Sequence, residues 1–330
     1  MTTTVATRRL TGLQPTGELH LGNLLGAIAP MVRDQYTTDS TVFLADLHAL
    51  TVAHEPRTLR ETTLRQATVL LAAGLDPDRT LFYVQSQVPD HSELHYLLEC
   101  TTAYGEAHRM IQFRDKAVDR QNVRLSLLTY PVMQAADILL HDATEVPVGA
   151  DQRQHVELTR DIANRFNRRY GDTFVVPEVV TPTVAARVMD LANPAVKAGK
   201  TTSSASGAIG LLDPADLVAR KISRAVTDSD GIIAYDPAVR PGVSNLLEIM
   251  AACVGGSPVE IGSGMRGYGE LKSATTEAVL GLLRPLRSRF ETLARDPGYV
   301  RRMLAEGAER ARGRTAQTVF RAKRAIGVLT

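Results

Sequence analysis

The sequence predicts an α/β protein in which a Rossmann-like parallel sheet is followed by a smaller all-helical domain. Three observations predict this. Short apolar runs alternate with amphipathic segments in the first half, a stretch rich in Gly, Ala, Ser and Thr lies at 197–210, and the rest is mainly helical in pattern. Alternation of strands and helices is typical of a parallel sheet covered by helices. Such sheets bind ligands at the carboxyl ends of their strands.

The individual elements follow from apolar runs and helical spacing. Strands are predicted at 9–13, 41–46, 81–85 and 145–148. Helices are predicted at 23–36, 57–73, 131–141, 152–168, 214–226, 242–253, 273–294 and 299–326. We place the domain boundary near residue 190, with a catalytic domain at 1–190 and a helical domain at 191–290. The helices at about 291–330 are expected to pack back on the first domain.

Composition narrows the class of protein. The chain has 330 residues, 44% of them hydrophobic and 22% charged, as in soluble globular proteins. No apolar run is long enough to span a bilayer, and the first residues lack the pattern of a secretory signal. Cys100 and Cys253 share no metal-binding or redox spacing. We therefore expect a cytoplasmic protein without a membrane partner.

Charge is distributed unevenly along the chain. From Arg284 to Thr330 there are 12 Lys and Arg against 4 Asp and Glu, a net charge of +8, so the first 283 residues carry −6. A basic end suggests an acidic partner such as a nucleic acid. The alternative at this stage is a solvated helical face.

The segment PTGELHLGN follows the first predicted strand and enters a helix. Gly22 lies just before that helix, and His20 and Asn23 are three residues apart. A helix N-terminus offers free N–H groups to phosphate, and an imidazole and an amide nearby can stabilise charge in a transition state. The dinucleotide fingerprint G-x-G-x-x-G and the P-loop are both absent. The pattern therefore disfavours an ordinary dehydrogenase or a P-loop kinase.

The HLGN segment resembles the HIGH signature of class I aminoacyl-tRNA synthetases, and its surroundings resemble the tryptophanyl branch, close to the tyrosyl one. The blocks FLADLHALTV, LLTYPVMQAADILL, VPVGADQRQHVELTRDIANRFN and KISRAVTDSDG extend the resemblance over nearly the whole chain. It implies activation of L-tryptophan by ATP with Mg²⁺, followed by transfer to the 3′ end of tRNA(Trp). It also implies a homodimer, and an anticodon-reading role for the helical domain.

The resemblance implies an amino-acid pocket. Asp137 of the AADILL block corresponds to the aspartate that accepts the indole N–H, and an indole has one donor and no acceptor. By itself such an aspartate is more often a local cap or ion-pair partner. The resemblance assigns these further residues to tryptophan: Tyr130, Gln134, His48, Gln152 and Leu10.

The resemblance also implies a nucleotide site and catalytic residues. His20, Lys197 and Lys200 are expected to stabilise the transition state. The residues expected to bind ATP are Gln14, Pro15, Thr16, Gly22, Asn23, Gly149, Ala150, Asp151, Val188, Lys197, Ala198, Gly199, Lys200 and Thr201. No residue is assigned to a protein-bound metal.

Three features depart from the family pattern. Where the family carries KMSKS, this chain reads KAGKT from Lys197 to Thr201, a pattern similar to tyrosyl enzymes. Leu10 stands where many relatives carry Phe. The chain contains no Trp; chance is one explanation, and the other is an auxiliary or inhibitor-tolerant form used when tryptophan is scarce.

Alternatives stay open from sequence. They are a tyrosine-activating synthetase, another nucleotidyl transferase with a similar turn, and a non-charging regulatory paralogue. His91 and His95 lie four residues apart, a spacing that can hold zinc, but no third ligand is near in sequence. We expect these two histidines on a solvated helix face.

Overall fold

The computed structural model describes residues 7–111, 113, 123–149, 152–180, 188–199 and 206–330. Within them, five strands form one sheet in which every pairing is parallel, in the order β3-β2-β1-β4-β5. The strands are β1 (Arg8–Leu13), β2 (Asp39–Leu44), β3 (Leu81–Val84), β4 (Glu145–Pro147) and β5 (Glu178–Val180). The parallel sheet confirms the predicted α/β fold.

Helices cover the sheet and make up the second half. They are α1 (Leu21–Asn23), α2 (Ala29–Asp34), α3 (Asp46–Ala49), α4 (Pro56–Ala72), α5 (Asp90–Glu99), α6 (Tyr104–His108), α7 (Leu125–Leu140), α8 (Arg153–Tyr170), α9 (Ala215–Ser223), α10 (Pro241–Val254), α11 (Pro258–Ser263), α12 (Tyr268–Ala294) and α13 (Pro297–Ile326). None of the described helices is both long and apolar enough to cross a membrane.

The helix predicted at 23–36 is present over 21–34, but it contains a π-helical turn that the prediction did not include. α1 is followed by a π-helical turn at Leu24–Ile28 and then by α2. The π turn buries Leu24, Leu25 and Ile28 together. Turns of this kind are often found at functional sites.

One hydrophobic cluster joins the sheet region to the helical region. It contains Leu21 of α1 and Leu70 of α4 together with Val218, Leu246 and Val279 of the later helices. All five side chains are buried. The segments before and after residue 190 therefore share one core and are held against each other.

α13 returns to the sheet and lies along the edge strand β3. A Cβ on Gly307 would come within 1.8 Å of the carbonyl oxygen of Phe82, so only glycine permits this approach. Arg310 and Arg312 donate hydrogen bonds to the backbone oxygens of Pro77 and Gln87. Several cations of the basic C-terminal segment therefore bind within the chain.

Candidate active site

The candidate site is a cleft at the carboxyl ends of β1 and β4, where the strand order reverses. Parallel sheets bind ligands at this crevice because adjacent connections diverge to opposite faces there. A cavity of about 280 Å³ opens at this place. The predicted tryptophan residues line it: Leu10, His48, Tyr130, Gln134, Asp137 and Gln152. The structure therefore brings together residues that are up to 142 positions apart in the sequence.

Asp137 is the best-connected side chain of the cleft. It lies on α7 and is only 2% exposed. His48 Nε2 donates to Oδ2 at 2.8 Å, while His91 Nδ1 and Gln85 Nε2 donate to Oδ1 at 2.6 and 2.8 Å. Three hydrogen bonds to one buried carboxylate fix its orientation and favour its charged form.

The same contacts decide the protonation of Asp137. Burial raises the pKa of Asp137, but the charge of His91 and the hydrogen bonds from His48 and His91 outweigh it and hold that pKa well below its usual range. Asp137 is therefore an ionised acceptor at neutral pH. A carboxylate that only accepts is suited to a ligand group that only donates.

The rest of the pocket is partly aromatic. The hydroxyl of Tyr130 lies 2.9 Å from His155 Nε2, and the rings of Tyr130 and His48 meet edge to face at 6.2 Å. Leu10 is buried in β1 and packs in the same cluster as Phe43 and Ile138. The cleft thus combines an apolar wall with the buried carboxylate of Asp137, as expected for a site that binds an apolar ring with one polar group.

The prediction of a solvated face for His91 is wrong. His91 is fully buried, and its ring contacts both Asp137 and Tyr83. His95 is also largely covered and lies 3.0 Å from Glu99. Nowhere in the described part of the chain do three or more His, Cys, Asp or Glu side chains lie in an arrangement that could hold a metal ion. The HSELH segment therefore supplies a buried hydrogen-bond donor behind the cleft, to Asp137.

The turn after β1 carries the predicted phosphate-binding residues. His20 is 6% exposed, and its backbone N–H donates to Asn23 Oδ1 at 3.1 Å, which caps the first helical turn. A Cβ on Gly22 would stand 3.0 Å from His20 Nδ1 and 3.5 Å from Val188 Cβ. The glycine therefore lets the imidazole lie against the helix N-terminus, where N–H groups face an anion.

The segment that resembles KMSKS begins next to this turn. Val188 is buried, and its carbonyl accepts the N–H of Ala198 at 3.1 Å. After the loop, the carbonyl of Ile209 accepts the N–H of Leu21 at 2.8 Å. The start of the KAGKT segment is thus bonded to Val188, the chain after the loop is bonded to Leu21 of the HLGN turn, and the side chain of Lys197 is exposed.

The other predicted ATP residues divide into two groups. Gln14, Pro15 and Thr16 follow β1 directly, and Gly149 follows β4 as an exposed residue. The remaining ones lie outside the described residues: Ala150, Asp151, Lys200 and Thr201. Gly199 is described and half-buried.

Sequence reasoning missed two side chains that contact Asp137. Gln85 is completely buried just after β3, and His91 is completely buried on α5. Gln85 could have been predicted from its position, because it follows a strand at the carboxyl end, where the cleft was expected. For His91 the i, i+3 and i, i+7 spacing to Leu94 and Leu98 marked the buried face, and a histidine within it indicated a polar partner.

Comparisons with known proteins agree with this geometry. Residues 2–284 match the family model of tRNA synthetases class I (W and Y). The chain is 52% identical over 98% of both lengths to tryptophan--tRNA ligase 1 of Streptomyces coelicolor. The tryptophanyl-tRNA synthetase of Mycoplasma pneumoniae superposes with a TM-score of 0.90 at 34% identity, covering 98% of this chain and 99% of that one.

A third relative contains bound ligands. The tryptophanyl-tRNA synthetase of Campylobacter jejuni, solved in complex with ADP and tryptophan, has a TM-score of 0.85 at 32% identity and covers 98% of this chain and 100% of that one. That protein thus holds an adenine nucleotide together with the amino acid.

Proposed function

Because this chain belongs to the class I tRNA synthetases of the W and Y family, we propose that it is a tryptophan–tRNA ligase. It joins L-tryptophan to the 3′ end of tRNA(Trp) in two steps, using ATP. The observation that carries the proposal is the buried, ionised Asp137 at the wall of the cleft.

The acceptor positions of Asp137 support tryptophan over tyrosine. A carboxylate has about four acceptor positions. The described residues use two on Oδ1 and one on Oδ2, which leaves one on Oδ2 for an indole N–H. A tyrosine hydroxyl carries an oxygen that also accepts a hydrogen bond, and a carboxylate offers that oxygen no donor. Phenylalanine would leave the buried position unmatched, which disfavours it.

The first step forms the adenylate. A carboxylate oxygen of tryptophan attacks the α-phosphorus of ATP, and the bond to the bridging oxygen breaks to release pyrophosphate. His20 and the N–H groups of α1 stabilise charge on the phosphate oxygens, with Asn23 and Gly22 shaping the turn. Lys197, with Lys200, neutralises the leaving pyrophosphate. Catalysis is then positioning and charge stabilisation, without a protein nucleophile.

The second step transfers the amino acid. The 2′-hydroxyl of the terminal adenosine attacks the carbonyl carbon of the adenylate, and AMP leaves with the bonding electron pair. Mg²⁺ accompanies ATP as the counter-ion of its phosphates. Bound with ATP, it would supply positive charge to the phosphate oxygens.

The helical residues 191–290 are proposed to read the anticodon, because RNA is usually recognised at single-stranded loops. Phosphate contacts by the basic end are proposed for its cations other than those that already bind groups of the sheet domain, which are Arg310, Arg312, Arg314 and Arg321. The reaction with tRNA is proposed to take place in the cytoplasm.

A homodimer is proposed through a surface on α5, α6 and the start of α7. Tyr96, Tyr104, Ile111 and Leu125 are 56–74% exposed there. Exposed large apolar side chains grouped on neighbouring elements are typical of a protein interface. Sedimentation at micromolar concentration tests this, and Leu125→Glu with Tyr104→Glu should produce a monomer if the assignment holds.

One assay tests the whole proposal. Pyrophosphate exchange is measured with tryptophan, tyrosine or phenylalanine, followed by charging of total tRNA. Tryptophan should support exchange and charging. Exchange that prefers tyrosine would replace this proposal with the tyrosyl alternative, while adenylate formation without charging of any tRNA would favour a regulatory paralogue.

An auxiliary role is a further part of the proposal, motivated by the absence of Trp from the sequence. Synthesis of the enzyme itself then does not consume the amino acid it activates. Its expression should rise when tryptophan is limiting. Constant expression under both conditions would remove the support for this role.

A further inference from the structure

A chain of four polar side chains runs from the amino-acid cleft through the interior of the sheet domain. Asp137 Oδ1 lies 2.6 Å from His91 Nδ1, His91 Nε2 lies 2.8 Å from the hydroxyl of Tyr83, and that hydroxyl lies 2.7 Å from His141 Nε2. We call these four side chains the relay. His141 lines a second cavity, of about 300 Å³, beside the amino ends of β1 and β2.

The relay is buried along most of its length. Tyr83 and His91 are 0% exposed, and Asp137 is 2% exposed. The rings of Phe43, Tyr83, His91 and His141 pack against one another at 5.4 to 5.9 Å. An apolar side chain at Tyr83 or His91 would fill the same space without the cost of desolvating polar groups. The polar choice therefore needs a reason beyond packing.

The protonation of the relay follows from its surroundings. Burial and the nearby charge of Asp137 raise the pKa of Tyr83 well above its ordinary value, so its hydroxyl keeps its proton. Burial, followed by the effect of His91, lowers the pKa of His141 to about 3, so this ring is neutral at pH 7. Tyr83 has one hydrogen, so it donates to one histidine and accepts from the other.

Whichever histidine the Tyr83 hydroxyl donates to, the hydrogen bond between His91 and Asp137 has one direction. The ionised carboxylate only accepts, so His91 Nδ1 must carry a hydrogen. The other nitrogen of His91 is held by Tyr83, which prevents the ring from turning over without the loss of both bonds.

We propose that His91 is a positioning residue for the Asp137 carboxylate, that Tyr83 and His141 hold it in place, and that the relay thereby contributes to tryptophan selectivity. By occupying Oδ1, His91 and Gln85 keep the carboxylate turned so that Oδ2 faces the ligand. This inference rests on the proposed function, because selectivity is defined by the reaction with tryptophan.

Tyr83→Phe is the main test, since it deletes only the hydroxyl and leaves the packed ring. We expect the KM for tryptophan in pyrophosphate exchange to rise about two- to tenfold, the effect of losing one buried hydrogen bond. The kcat and the KM for ATP should stay unchanged. The preference for tryptophan over 3-benzothienylalanine, which lacks the ring N–H, should fall by a similar factor.

Tyr235→Phe is the matched control. Its hydroxyl also binds one polar side chain, Glu248 at 2.7 Å, but lies in the helical region. This variant should keep the tryptophan KM and the analogue preference of the unmodified protein. A Tyr83→Phe enzyme that behaves like this control would overturn the inference.

His91→Asn and His91→Leu separate positioning from packing. Asn offers an N–H donor near the place of Nδ1, whereas Leu offers none. His91→Asn should retain most of the selectivity and His91→Leu should lose it. Equal selectivity of the two variants would contradict a positioning role.

The unmodified protein also gives a direct spectroscopic test. In ¹⁵N–¹H correlation spectra of the imidazoles, the Nδ1 of His91 should carry a hydrogen shifted downfield by the carboxylate, with assignment from the loss of this signal in His91→Asn. A bare Nδ1 would refute the relay. If the unmodified protein shows no exchange with tryptophan, the proposed function fails. If it is active and Tyr83→Phe has no effect, only this inference fails.

Discussion

The two ends of the cleft are built differently. At the amino-acid end, side chains from separate elements converge on one buried carboxylate: His48, Gln85 and His91 all donate to Asp137. At the nucleotide end, a backbone hydrogen bond joins the HLGN turn to the chain after the KAGKT loop, between Leu21 and Ile209, and the cation Lys197 is exposed. The difference shows which end of the cleft must be rigid. Choosing an amino acid requires a fixed, desolvated geometry, whereas a point charge can neutralise pyrophosphate from a solvated position.

The largest effect is expected at the amino-acid end. Asp137→Asn removes the charge and replaces one acceptor oxygen with an amide N–H. That N–H then faces a group that also donates, so one of the donors around position 137 loses its partner. We expect kcat/KM for tryptophan to fall by about 10²- to 10³-fold, as when a buried charge partner is lost. Discrimination against phenylalanine should fall with it. Steady-state pyrophosphate exchange measures both.

The control for this change is Asp142→Asn, five positions along the chain. Asp142 binds Arg321 outside the cleft and has a φ of 49°, which asparagine tolerates well. Its activity should remain close to that of the unmodified protein. If Asp137→Asn still discriminated normally between tryptophan and phenylalanine, the buried carboxylate would not be what selects the amino acid.

A second change addresses the nucleotide end. Lys197→Ala should lower kcat for pyrophosphate exchange by roughly 10²-fold, since one stabilising group is removed from the transition state. The KM for tryptophan should stay the same because Lys197 is not among the residues that line the amino-acid cavity. Lys272→Ala, on α12 and away from the cleft, is the control. An increase in the KM for tryptophan with a normal kcat would instead assign Lys197 to the amino-acid end of the cleft.

Gly22→Ala tests the packing of the phosphate-binding turn. The new methyl group would press on His20, whose Nδ1 stands 3.0 Å from the ideal Cβ position, and the imidazole must shift. We expect a loss of about tenfold, mainly in kcat, from the displaced group. Gly281→Ala is the control, because nothing lies within 4 Å of a Cβ there. Equal activity of the two variants would show that the turn tolerates displacement of His20.

The smallest effect concerns His141, which lies behind the amino-acid end of the cleft, and the dependence of the free energy of unfolding on pH. The folded pKa of His141 is about 3, against roughly 6.5 in the unfolded chain. Between these values the unfolded state binds the extra proton, so stability rises with pH, with a contribution of about 1.4 kcal/mol per pH unit. This contribution is complete above the unfolded pKa and is lost as the pH falls toward the folded one.

His141→Gln removes that titration and keeps an N–H donor for Tyr83. Urea unfolding between pH 4.5 and 6 should show a shallower dependence of the free energy of unfolding on pH. The depressed pKa of Asp137 affects stability mainly below this pH window, since the pKa of an unfolded aspartate is about 3.9. Its effect is the same in the unmodified protein and in His141→Gln. Parallel pH profiles would indicate that His141 is not buried as a neutral ring.

Much of the sheet was predictable because its strands are short apolar runs. The predicted strands at 9–13 and 81–85 differ by one residue at one end from Arg8–Leu13 and Leu81–Val84. The strand Glu178–Val180 was missed because three residues are too few to produce alternation. The π turn within the first helix was also missed, because such a turn leaves no separate mark in helical spacing.

The candidate site was predictable only in part. Its general place followed from the rule for parallel sheets, and its residues followed from the resemblance to a family. His91 was not found, because its partner Asp137 is 46 positions away. A local pattern of charge and spacing does not contain that contact, and four-residue histidine spacing alone pointed toward solvent or zinc.

The helix along the edge strand has a consequence for how the chain folds. An open strand edge invites pairing with other chains, and here α13 covers β3. The contact between Arg310 and Pro77 joins residues 233 positions apart. While the chain is being synthesised, β3 therefore leaves the ribosome long before its cover. Contacts of such long range also form slowly. The interval before α13 docks is the period in which the nascent protein is most exposed to aggregation and most dependent on chaperones.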